Sequence, residues 1–144
     1  MSRVLLEQDR FRLSASLQLD SGRRSGDDAY LAGLPDVQGT LRGRITARYT
    51  LSPKWSLALA GSHDLRSRDR AGTLTPSIKY RHPSASGTLW EASLAAEIGN
   101  DAQLQTFYGI APAAAAAAGR TPYEPRGGLY LWRLGVDVSH PLST

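Results

Sequence analysis

Apolar and polar residues alternate along several stretches of this chain. The clearest is residues 41–51, in which every second residue is apolar or small and most of the intervening residues are Arg or Thr. Side chains of a β-strand point to opposite faces with a period of two, so such a strand has one apolar and one cationic face. Repetition of this pattern predicts an all-β, antiparallel transmembrane β-barrel of the outer-membrane type, with lipid outside and water in the lumen.

Five other stretches share the alternation and complete a set of about six predicted strands. They are residues 10–20, 55–62, 73–81, 88–98 and 129–140. In the last stretch the pattern places Tyr130 and Trp132 together on the apolar face. Residues 1–9 are interpreted as an N-terminal tail or the remnant of a preceding strand. Residues 10–144 are interpreted as a partial barrel domain.

The connections between these strands alternate in length. Residues 21–40, 64–72 and 99–128 are long connections, whereas residues 52–54 and 82–87 are short ones, and a turn begins at residue 140. Outer-membrane barrels have short turns on the periplasmic side and long loops outside. The short turns are therefore predicted to be periplasmic and the long connections extracellular.

Aromatic residues flank both short turns on the apolar side of the pattern. Tyr49 and Trp55 bracket the first turn, and Tyr80 and Trp90 bracket the second. Tyr and Trp gather at membrane interfaces, where the ring is in contact with apolar groups and the polar atom stays hydrated. Aromatic residues also favour strands in general. The placement favours a periplasmic aromatic girdle.

The sequence predicts a piece of a larger barrel, cut at both ends. Six strands are too few, because the smallest bacterial barrels have about eight. The first ten residues contain charges at Glu7, Asp9 and Arg10 and resemble no export signal. Residues 10–20 and 129–140 would be unpaired edges, so the segment alone is expected to aggregate in water. The outer-membrane localisation therefore refers to the full-length parent.

Composition excludes several other classes of protein. The chain has 144 residues, 41% of them hydrophobic, and no Cys, which rules out disulfides and thiol chemistry. Its mean hydropathy is −0.32, and no run approaches the roughly 18 apolar residues of a membrane helix. The net charge is +4, but the arginines are scattered over strands and loops, without a basic helix. Nucleic acid is therefore not an expected partner.

The chain offers little that could carry catalysis. His63, His82 and His140 have no metal-ligand spacing, and no phosphate loop or dinucleotide fingerprint is present. Ser62, His63 and Asp64 supply the residue types of a hydrolase, but adjacent residues of a strand point to opposite faces. The prediction is a protein that is not an enzyme, with no catalytic residue, cofactor or metal.

The predicted lumen face carries charges of both signs. One interpretation is a lumen that weakly attracts anions. The other, which is favoured, is a network of cross-strand salt bridges that fills a narrow barrel. The charged residues are Arg12, Asp20, Arg42, Arg44, Arg48, Asp64, Lys79, Arg81, Glu91, Glu97, Arg133 and Asp137.

The longest connection contains two possible helical segments. Asn100 and Asp101 could cap a short helix over residues 102–108. The alanine tract at residues 113–118 is compatible with a further helical turn.

Two motifs resemble the MipA/OmpV family of MltA-interacting outer-membrane proteins. One is the hairpin at residues 49–57, with its Ser-Pro-Lys-Trp sequence. The other is the long-loop motif that runs into a strand after an Ala-rich tract. The residues of that long-loop motif are Phe107, Tyr108, Gly109, Ile110, Gly119, Tyr123, Gly127 and Gly128. The resemblance extends from about residue 10 to the end of the chain. The tract ends in Ala118-Gly119-Arg120, where the family usually has Ser-Gly.

The resemblance implies a non-enzymatic outer-membrane scaffold, with no catalytic residues to carry over. Its expected partners are outer-membrane lipid, a lytic transglycosylase and a bifunctional penicillin-binding protein of murein synthesis. The candidate partner contacts at the predicted periplasmic rim are Ser52, Pro53, Lys54, Arg81, His82 and Pro83. Two alternatives stay open: a small porin-like channel, and a soluble β-barrel binding module similar to a lipocalin.

Overall fold

The computed structural model of the protein describes residues 2–29, 34–66 and 70–141. It is an antiparallel sheet of seven strands, and each strand pairs with the next one in the chain. The strands are β1 (Ser2–Gln8), β2 (Phe11–Asp20), β3 (Thr40–Thr50), β4 (Trp55–Asp64), β5 (Gly72–Pro83), β6 (Leu89–Gly99) and β7 (Gly128–Ser139). Two helices, α1 (Asp101–Tyr108) and α2 (Pro112–Ala118), lie between β6 and β7.

The alternation of short and long connections is confirmed. Residues 9–10, 51–54 and 84–88 join strands at one end of the sheet, called here the short-turn rim. Residues 21–39, 65–71 and 100–127 join strands at the opposite end, the long-loop rim. Within these connections, positions 30–33 and 67–69 lie outside the described residues, as do positions 142–144 of the predicted final turn. Among the described residues, neither helix is long and apolar enough to cross a membrane.

A strand that the alternation did not predict forms the first edge of the sheet. β1 pairs with β2, so the expectation that residues 10–20 form an unpaired edge was wrong. The register runs from Val4↔Ser14 to Leu6↔Leu13, which leaves Leu5 as an extra residue. Such a β-bulge shifts the phase of the side chains. The bulge interrupts the period-two pattern in the middle of this short strand, so the alternation does not reveal β1 in the sequence.

The two faces of the sheet differ as predicted. Leu13, Leu17, Ile45 and Tyr49 share a face with residues of the other strands through the register, and this is called the apolar face. The same face carries Leu57, Leu94, Trp132 and Val136. Arginines at alternate positions of β3 occupy the opposite, polar face.

The apolar side chains are exposed rather than packed in a core. Ile45 is 56% exposed, Trp132 62% and Leu134 76%. The buried hydrophobic residues among those described are mostly small: Leu34, Ala60, Ala71, Ala96, Leu104 and Ala115. Folding of this sheet therefore leaves a continuous apolar surface on one side.

Tyr130 does not lie on the apolar face, which corrects the sequence pattern. The register of β6 and β7 shifts from Glu97↔Leu131 to Ile98↔Leu129, so Tyr130 is the extra residue of a second bulge. Its hydroxyl donates a hydrogen bond to Glu97 Oε2 at 2.9 Å. The bulge thus turns an aromatic ring towards the polar face.

Pro76 lies inside a central strand, a position that proline usually avoids. β5 pairs with β4 through Leu59↔Pro76. On the other side the pairs with β6 run from Leu74↔Ile98 to Ser77↔Ala95, leaving a gap around Pro76. The missing backbone donor therefore weakens the ladder locally without ending the strand.

Candidate functional site

Ion pairs cross the polar face between neighbouring strands. Arg81 Nη2 lies 2.9 Å from Glu91 Oε1, and Lys79 Nζ lies 3.5 Å from the same oxygen. Arg133 Nη2 lies 2.6 Å from Glu97 Oε1. These contacts confirm the interpretation of cross-strand salt bridges for this part of the face.

Further polar contacts cross the polar face between β1 and β4. Arg42 Nη1 lies 3.6 Å from Asp20 Oδ2, and the Thr40 hydroxyl donates to Asp64 Oδ1 at 2.9 Å. Arg12 pairs with Glu7 of β1, a partner that the sequence did not reveal because residues 1–9 were interpreted as either a tail or the remnant of a preceding strand.

Helix α1 covers the polar face at the long-loop rim. The Asn100 side chain caps the helix by accepting a hydrogen bond from the Gln103 backbone N–H at 2.9 Å, as predicted. Gln103 is buried, and its Oε1 accepts from Arg42 Nη2 at 3.0 Å. The Tyr108 and Tyr130 rings meet with centroids 5.9 Å apart. The Arg42–Gln103 and Tyr108–Tyr130 contacts were not predicted, because each joins residues that are far apart in the chain.

Residues of the long-loop motif form backbone hydrogen bonds that fix the conformation of the connection around α1. The Gly109 N–H donates to the carbonyls of Leu104 and Gln105 at the end of α1. Ile110 and Tyr123 exchange backbone hydrogen bonds of 2.8 and 3.0 Å. The motif is therefore structural within this loop: it terminates a helix and closes a chain reversal.

Other motif residues act at the ends of the same segment. Gly119 ends α2 in the left-handed conformation, with φ at 63°, which favours glycine. The Gly127 N–H donates to Asp101 Oδ1, which ties the start of α1 to the start of β7. The Phe107 carbonyl accepts from Arg23 Nη1 at 2.6 Å. Arg23 belongs to the connection between β2 and β3, so two long connections brace each other.

The first long connection contains an acid-sensitive contact. Asp36 Oδ1 accepts from the Ser25 backbone N–H at 2.7 Å, and this bond lowers the pKa of the Asp36 carboxyl. Because the pKa of this carboxyl is lower in the folded than in the unfolded chain, its ionised form stabilises the folded connection at pH values above the unfolded-state pKa. That stabilisation is lost as the pH falls through the folded-state pKa. We expect amide exchange at Ser25 to be slow at neutral pH and to be faster, relative to the intrinsic rate, in acid. In the Asp36→Asn variant this acid step should vanish.

The candidate partner contacts come together at the short-turn rim. The Arg81 N–H donates to the Lys54 carbonyl at 2.8 Å, which places the turn at residues 51–54 beside the end of β5. Ser52 Oγ accepts from the backbone N–H groups of Lys54 and Trp55 at 3.3 and 3.2 Å. Because β5 extends to Pro83, the residues His82 and Pro83 belong to a strand end, as Arg81 does, rather than to the turn that was predicted for residues 82–87.

Aromatic residues of the apolar face gather at this same rim. The Trp55 and Tyr80 rings are 4.7 Å apart between centroids, and His82 stacks beyond Tyr80 at 6.4 Å. Tyr49 and Trp90 are 45% and 49% exposed. The predicted clustering of aromatics beside the short turns is confirmed.

The remaining histidines have local hydrogen-bond partners. His63 Nδ1 lies 2.6 Å from the Asp64 carbonyl oxygen, whereas Ser62 Oγ lies 2.6 Å from Thr73 Oγ1. Ser62 and His63 therefore form no pair, as predicted. His140 Nδ1 lies 2.8 Å from Thr88 Oγ1. Within residues 2–29, 34–66 and 70–141, no three His, Asp or Glu side chains form a group that could hold a metal ion.

These features define a class of protein: an all-β antiparallel sheet with one exposed apolar face, and a polar face covered at one end by a helical loop. The chain belongs to the family described as MltA-interacting protein MipA, whose family model matches residues 2–144. The name of that family refers to an interaction with MltA. No curated protein and no solved structure matches the chain.

Proposed function

We propose that the chain forms part of the wall of an outer-membrane β-barrel, with the apolar face towards lipid. The observation that carries this proposal is the exposure of large apolar side chains on one face of a sheet whose buried apolar residues are few and mostly small. Contiguous apolar surface of this extent marks a membrane or protein interface. Alternating faces are what a barrel in a bilayer requires.

The position of α1 supports the polar face as the inner one. In a soluble barrel that binds apolar ligands, the apolar residues would line the inside. Here the buried polar residues Thr40, Asp64 and Gln103 lie where α1 covers the polar face. A loop helix that folds into the mouth of a barrel accounts for this burial, so the membrane barrel is favoured over a soluble binding module.

The function that fits this family is a non-enzymatic scaffold in the cell envelope. The family description names MltA, a lytic transglycosylase, as the interacting protein. A partner inside the envelope would meet the short-turn rim, since short turns of outer-membrane barrels are periplasmic. On this rim a backbone hydrogen bond holds the cationic residues Lys54 and Arg81 side by side, which supports the rim as the contact for such a partner.

This assignment predicts where substitutions disrupt partner binding. Replacement of Lys54 and residues 82–86 in the full-length polypeptide should abolish retention of an MltA-type transglycosylase in a pull-down, because the charged and shaped rim is removed. Replacement of residues 111–120 in the long connection should leave retention unchanged. Both variants are first compared with the unmodified protein for assembly in the outer membrane.

The matched pair of variants separates the possible outcomes. Loss of retention with the long-connection variant alone would overturn the proposed orientation or the scaffold role. Equal retention by all three proteins would overturn the short-turn rim as the contact.

A porin-like channel is a second candidate because the polar face lines a hollow of about 650 Å³. Coverage of the long-loop rim by α1 narrows the path through such a hollow. Conductance of the full-length protein in a planar bilayer distinguishes this function from a closed scaffold, which should give no discrete current steps.

A further inference from the structure

The hollow of the polar face has a strongly basic lining close to the short-turn rim. It has a volume of about 650 Å³ and is lined by residues from β1 to β5 and from their turns. Its basic residues are Arg10, Arg12, Arg44, Arg48, Lys54, Lys79 and Arg81, and its acidic residues are Glu7 and Asp9. The size is within the range of about 300–1,000 Å³ that is usual for small-molecule sites.

Two cations of this lining lie directly opposite one another. Arg12 and Arg48 are direct partners in the register of β2 and β3. Opposed residues of an antiparallel pair have Cα atoms about 4.5–5.5 Å apart, and like charges at this distance are destabilising. Glu7 offsets the charge of Arg12, so Arg48 is the member of this pair whose charge a bound anion would neutralise.

Protein carboxylates neutralise only some of these cations. Glu7 pairs with Arg12, and Glu91 pairs with both Lys79 and Arg81. Within residues 2–29, 34–66 and 70–141, Arg44 and Arg48 have no ion-pair or hydrogen-bond partner for their side chains. The hollow, which is partly open to solvent, therefore keeps an excess of positive charge around Arg44 and Arg48.

We propose that this hollow binds a small oxyanion with two or more phosphate or carboxylate groups. Arginine presents a planar fork of donors that matches both groups. Arg44 and Arg48 are four residues apart on one strand, which separates their Cα atoms by about 13 Å. A ligand with several anionic groups can give each of these two arginines a group of its own. The site goes beyond the scaffold role and does not depend on it.

Isothermal titration of the full-length protein in a non-ionic detergent tests this site. Tripolyphosphate is the phosphate probe, and tricarballylate is the carboxylate probe. We expect saturable binding of at least one probe. Arg48→Gln should weaken that binding about tenfold, the equivalent of one charge-assisted hydrogen bond. Arg48→Lys, which keeps the charge but not the fork, should weaken it less.

The matched control is Arg126→Gln, which removes the same charge from an exposed position in the long connection. Its affinity should stay within about twofold of the unmodified protein, since exposed charges act weakly at a distance in salt. Lys54→Gln in the exposed turn is a second probe, should Arg48→Gln fail to assemble. Absence of saturable binding of both probes, or equal weakening by the hollow and control variants, would overturn the proposal. The probe that binds more tightly identifies the anionic group.

Discussion

Arginine in place of Ile45 or Leu94 is expected to lower the free energy of unfolding by about 2–4 kcal/mol when the residue lies near the bilayer midplane. Both residues are on the apolar face, 56% and 42% exposed. Exposure to lipid makes a guanidinium there costly, because hydrocarbon provides no hydrogen-bond partners. The measurement is a guanidinium titration of the full-length protein in phospholipid vesicles, followed by tryptophan fluorescence.

The matched control is the neighbouring residue of the same strand. Thr46 lies on the polar face, opposite Ser14 and Ala60. Thr46→Arg should lower the free energy of unfolding much less than Ile45→Arg does, since a polar lumen tolerates charge. A larger loss at position 46 than at position 45 would mean that the polar face meets the lipid. Equal small losses would favour a protein that does not reside in a bilayer.

Replacement of Gly109 by alanine is the second change with a large expected effect. A Cβ at this position would lie 2.4 Å from the Gln105 carbonyl oxygen and 2.2 Å from the Gln105 side-chain nitrogen. The Gly109 backbone N–H also donates to the Gln105 carbonyl. Any movement that separates the added Cβ from this carbonyl must therefore disturb the end of α1. Overpacking of this kind costs about 1–3 kcal/mol. We expect residues 100–127 to open about tenfold more often, which limited proteolysis of the folded protein measures.

Gly26→Ala is the matched control for this prediction. Gly26 also lies in a long connection, but a Cβ there would meet no atom within 4 Å. Its proteolysis should match that of the unmodified protein. Unchanged protection of residues 100–127 in Gly109→Ala would contradict the role of Gly109 as a close-packed helix terminus.

Much of the architecture was predictable from local sequence. A period of two in residues 41–51 was enough to place Ile45 and Arg44 on opposite faces, since the geometry of a strand leaves no alternative. The N-cap at Asn100 was also predictable, because a capping side chain bonds to the backbone only three residues away. Such features depend on contacts within a few residues.

The sequence by itself determined the two faces, the order of short and long connections and the helix cap. The tertiary structure decided where the pattern loses phase, at Leu5 and at Tyr130. It also decided which partner each polar residue meets, such as Arg42 with Gln103. A bulge depends on how two strands pair, and one extra residue reverses every later side chain, so neither the bulge nor the contacts beyond it can be read from one strand alone.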